Sequence, residues 1–78
     1  MKNIYIKDIN DGDSFSISDF LISNIQKIKL MEIGILPKIK MKLVKKSYFG
    51  TTIIECEGNK FALDNFIAEK ILIKLIES

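Results

Sequence analysis

The sequence predicts a mainly β fold, a small barrel of short strands capped by one short α-helix. Three observations carry that prediction. Apolar and polar residues alternate with a period of two in several separate stretches. Only the stretch from Ser23 to Gly34 changes to helical spacing, and it is bracketed by a helix start signal and a stop signal. The chain has 78 residues, enough for one domain, and strands this short are best protected by closing on themselves.

The elements follow in order. Residues 4–9 are short and semi-apolar, suited to one helical turn or a docking extension. Asn10-Asp11-Gly12-Asp13 is a strong turn signal. Residues 14–18 then alternate, which places Phe15 and Ile17 on one strand face and the serines on the other. Ser23 and Gln26 have the spacing of a capping box that opens the helix. Ile25, Ile28 and Met31 stand three apart, and Leu30 and Ile33 widen this apolar stripe. Gly34 can take φ > 0 and end the helix, and Pro37 cannot continue it. The helix lies between the first two strands, where it can cap the barrel's open end.

Beyond Pro37 the period is two again, with Ile39, Met41 and Leu43 on one face and Lys40 and Lys42 on the other. Residues 47–50 form a connection and 52–57 a strand. Gly58-Asn59 reads as a tight hairpin turn, after which residues 60–63 pair back. Asp64 or Asn65 can cap one helical turn through Ala68. Residues 71–76 are nearly all apolar, as expected of a last strand lying between neighbours and covered on both faces. The expectation is five strands and one helix.

Composition narrows the function classes. Hydrophobic residues make up 47% of the chain, so a packed core is expected. Surface scaling gives roughly 4,800 Å² exposed when folded and roughly 12,900 Å² when extended, so about 60% can be buried. Such a core is modest, and small domains often add disulfides, metals or a partner subunit. Cys56 is the only cysteine and histidine is absent, which leaves a partner subunit, a homo-oligomer included. All twelve basic residues are lysine, a bias best explained by AT-rich coding together with the abundant isoleucine. The net charge of +2 is small for a nucleic-acid binder. No apolar run approaches a membrane span, and no signal peptide is visible, so a cytoplasmic protein without direct membrane insertion is expected.

Catalytic equipment is sparse. Without histidine there is no Ser-His-Asp or Cys-His arrangement. Glu55 and Glu57 share a strand face, most simply a solvated one opposite Ile54 and Cys56. Cys56 itself reads as a small buried hydrophobe. Asp8, Asp11 and Asp13 do not match a calcium loop, whose glycine and final glutamate positions are not filled here, and they read as turn residues. No metal, no cofactor and no enzymatic activity are therefore expected. Five lysines lie within residues 38–46, followed by Tyr48 and Phe49. Basic residues beside aromatics can bind single-stranded nucleic acid on a small barrel, which is the alternative function. The polar face of a strand, with lysine discouraging edge pairing, explains them more simply.

The segment Leu30-Met31-Glu32-Ile33-Gly34-Ile35-Leu36-Pro37-Lys38 resembles the helix end of the FeoA family, Leu-x-Glu-Leu-Gly-hydrophobic-x-Pro-Gly. The resemblance continues in order. Tyr48-Phe49-Gly50-Thr51 stands at the family's Pro-hydrophobic-Gly-Asp-Pro turn, and Phe61-Ala62-Leu63 follows the next glycine turn. Ala68, Ile71 and Ile73 match its closing Ala-x-x-Ile-x-Val run, so the likeness extends from about Asp8 to Leu75. Three positions depart from the pattern: Lys38 replaces a glycine, Thr51-Thr52 replaces Asp-Pro, and Asp64 stands where arginine is common. The C-terminal domain of DtxR-type metal-dependent repressors is similar, but no helix-turn-helix precedes the domain here, so a complete repressor is not expected.

The resemblance implies an SH3-like barrel spanning residues 1–78 as one domain. It implies a cytosolic accessory role beside FeoB, the membrane ferrous iron transporter with a cytosolic G-protein domain, without bound iron of its own. Binding would use an exposed apolar patch with a charged rim. The candidate residues are Tyr48 and Phe49 in the turn, Lys45 and Lys46 at its rim, and Leu36 just past the helix.

Overall fold

A computed structural model describes residues 4–47 and 49–76. Its elements run β1 (Ile4–Tyr5), a 3-10 turn (Ile6–Asp8), β2 (Ser14–Phe20), α1 (Asn24–Glu32), β3 (Met41–Lys46), β4 (Thr51–Cys56), β5 (Asn59–Asp64), α2 (Asn65–Ala68) and β6 (Ile71–Ile76). The strands form one antiparallel sheet in the order β1-β6-β2-β3-β4-β5. The mainly β, SH3-like architecture expected from the sequence is present, with β1 added as a sixth strand. The sheet does not close fully, because β1 and β5 remain its ends.

Residues 4–9 combine both readings of that segment, a two-residue strand on β6 and then a helical turn. Ile6 and Ile9 are buried, so the segment belongs to the core. Phe15, Ile17, Met41, Leu43, Ile54 and Ile71 are each at most 1% exposed and form the centre of that core. Alternation predicted the inward faces of β2, β3 and β4, whereas β6 was read as apolar on both faces. β6 lies between β1 and β2 as expected, with Ile71 and Ile73 buried. Its outer half is less covered than expected, since Lys74 and Leu75 are exposed beyond the reach of two-residue β1.

The β4–β5 turn is Glu57-Gly58, one residue earlier than the sequence reading, with Cys56 paired to Asn59. Both turn residues have positive φ, 51° and 84°, as a type I′ turn requires.

Helix α1 begins as predicted: the Ser23 hydroxyl accepts the Gln26 N–H at 3.2 Å. It ends in a Schellman motif. The Ile35 N–H donates to the Leu30 carbonyl at 3.0 Å, and the Gly34 N–H to the Met31 carbonyl at 3.1 Å. Gly34 has φ 108°, and a Cβ there would meet only the tip of Phe61 at 3.7 Å. The cost of a side chain is therefore conformational, not steric. Gly34→Ala should lower the unfolding free energy by about 1 kcal/mol, measured as a lower denaturant midpoint. An unchanged midpoint would mean that the left-handed conformation at Gly34 carries no such cost.

Lys38 also has positive φ, 68°, after Pro37. Proline followed by positive φ is the pattern of a type II turn, which explains why glycine suits this position in the family pattern.

Candidate partner-binding surface

Among the described residues, and apart from Leu75 on β6, large apolar side chains are left in water at two places. The first is at one end of the barrel, where the 47–50 connection meets α2. Phe49 is 95% exposed and Phe66 74%. Their backbones are well tied. The Asn65 N–H donates to the Gly50 carbonyl at 2.9 Å, and Thr51 pairs with Asp64 across the strands. The Asp64 carboxylate caps α2 by accepting the Phe66 N–H at 2.8 Å, and the Ser47 hydroxyl accepts the Phe49 N–H at 3.0 Å. Two aromatic side chains thus project from fixed backbone into solvent, an arrangement that lowers the entropy lost on binding.

Two of the departures from the family pattern are structural parts of this end. Asp64 is the cap just described. Thr52 is buried, and its hydroxyl donates to the Asn65 Oδ1 at 2.7 Å, joining β4 to α2. Beside this bond lies a cleft of about 120 Å³ between the 3-10 turn, Lys46, the α2 residues Asn65 and Ala68, and Glu69 just past the helix.

The sequence-derived candidates are not all together. Phe49 and Lys45 are exposed at this end. Lys46 is half-buried, and its ammonium donates to the carbonyls of Ile9 at 2.6 Å and Lys7 at 3.1 Å. Its own N–H donates to the Asp11 carboxylate at 3.1 Å. Lys46 thus ties the N-terminal segment to β3. Leu36 is half-buried and precedes β3, whereas Phe49 follows it. The Lys38 N–H bonds to the Ile17 carbonyl while Lys46 bonds to Asp11, so the two ends of this stretch run apart along β2. Tyr48 lies outside the described residues. Phe66 was not among the candidates. Its signal was available in the Asp64 cap, which turns the next residues into a short helix with Ala68 facing the core.

A stability test separates the two lysines. Lys46→Met should cost about 1–2 kcal/mol, the size of charge-assisted hydrogen bonds that are partly exposed. Lys45→Met should leave thermal unfolding within about 0.5 kcal/mol. Equal effects in a thermal melt would contradict the tether.

The second apolar surface is the outer face of α1. Leu30 is the helix's buried residue. Ile22 and Ile35 help to seat it on the barrel, and the Lys27 ammonium lies 6.0 Å from the Phe20 ring. The stripe read from the sequence points outward: Ile25 is 69% exposed, Ile28 54%, Met31 36% and Ile33 54%, with Leu21 beside them at 50%.

The acidic residues near the N-terminus are backbone caps. Asp8 accepts the Tyr5 N–H at 2.9 Å and Asp13 the Asn10 N–H at 2.8 Å. Among the described residues no group of three or more Asp, Glu, Cys or His is placed to hold a metal ion. Cys56 is buried, and burial, followed by the neighbouring Glu57 charge, pushes its thiol pKa up, away from the reactive thiolate. On β3, Lys42 stands opposite Glu55 with Met41 and Leu43 buried beside it, as a polar strand face requires. Among the described residues no helix is long and apolar enough to cross a membrane.

The described residues form a small β module with capped turns and exposed apolar side chains. The chain belongs to the FeoA domain family, whose pattern matches residues 4–75. Solved structures agree in fold. A FeoA protein described as an iron uptake regulatory protein superposes with a TM-score of 0.81 at 18% identity, covering 97% of this chain and 100% of that one. FeoA from Chlorobium tepidum gives 0.85 at 17% identity, covering 95% and 71%. A manganese-dependent transcriptional repressor gives 0.84 at 16% identity over 97% of this chain but 38% of its own length, so the likeness there is to one domain. Among curated proteins no sequence matches the chain.

Proposed function

We propose that the chain is a cytosolic accessory protein of ferrous iron uptake that acts by binding a FeoB-type transporter's cytosolic part, rather than by binding iron. Membership of the FeoA family supports the role in ferrous iron transport. The observation that carries the binding reading is that Phe49 and Phe66 are both exposed and that their chain neighbours Gly50 and Asn65 are hydrogen-bonded to each other. Aromatic anchors at the centre of a contact supply most of its energy, and a rim of charge such as Lys45 sets its specificity.

Asp8, Asp13 and Asp64 cap backbone N–H groups and Cys56 is buried, which favours a contact role over binding iron. This reading assigns it no catalytic step. Uptake of ferrous iron by cells lacking the gene tests the role. Wild-type chain should restore uptake, whereas a chain carrying Phe49→Ala and Phe66→Ala should not, although it accumulates to the same level. Full restoration by the double variant would overturn the assignment of this surface.

A further inference from the structure

We draw no further inference here: the strongest candidate, the apolar outer face of α1 where Ile25 and Ile28 lie exposed on either side of Glu32, carries nothing, because nothing in the structure shows what covers it.

Discussion

Phe49→Ala combined with Phe66→Ala should weaken binding to the transporter's cytosolic part by about 100-fold or more while barely changing the melting midpoint. The two halves of this expectation have separate origins. Each ring is largely in water, so truncating it removes little buried area, and exposed substitutions of this kind stay within about 0.5 kcal/mol. A ring that anchors an interface typically costs at least about 2 kcal/mol when removed, and every 1.4 kcal/mol is tenfold in affinity. Both backbones are held by neighbouring polar groups, Phe49 by Ser47 and Phe66 by Asp64, and alanine leaves those bonds in place. Binding and stability should therefore separate cleanly. Lost binding accompanied by a large drop in stability would mean that the rings support the fold instead.

Phe15→Ala should have the opposite signature. Phe15 is fully buried on β2, in register with Met41 on β3 and Leu75 on β6, so it sits where three strands meet. Removing a buried phenyl ring costs about 3–5 kcal/mol, from lost burial and from the cavity left behind. A domain of 78 residues has roughly 4–12 kcal/mol in total. The variant should thus melt about 15–30 °C lower, since 1 kcal/mol moves the midpoint of a domain this size by about 4–8 °C. It should lose binding only through unfolding. A melting midpoint close to wild type would contradict the placement of the core.

What could be read from the sequence was mostly what local chemistry decides. Ser23 with Gln26 and Gly34 before Pro37 mark helix ends through bonds made within a few residues and were found as read, and of the two caps open for the short helix, Asp64 or Asn65, the structure has Asp64. Strand faces were equally legible, because Phe15, Ile17, Met41 and Leu43 alternate with polar neighbours. Where two arrangements satisfy the same pattern, the pattern could not choose between them. Turns at Glu57-Gly58 or Gly58-Asn59 both keep Ile54, Cys56 and Leu63 facing inward, so the one-residue difference was invisible.

The helix posed the same problem in another form. Periodicity establishes that α1 has an apolar side, and says nothing about which side meets the barrel; the outward stripe emerges only once Leu30 is seated. Lys46 needed long-range information, since its carbonyl partners lie 37 and 39 residues away. On composition alone it was one lysine among several. Of the candidate surface, Phe49 was legible as an aromatic in a turn. For Phe66 the Asp64 cap offered a signal, but its place beside the 49–50 segment did not show, because it depends on the Asn65 to Gly50 bond between distant segments.

The reading of this chain as a protein-contacting accessory is tested most directly by calorimetric titration into the purified cytosolic part of the FeoB-type transporter from the same genome. A saturable complex of micromolar affinity or better is expected, weakened about 100-fold or more by Phe49→Ala with Phe66→Ala. No heat of binding with the wild type, or equal affinity for the double variant, would contradict it.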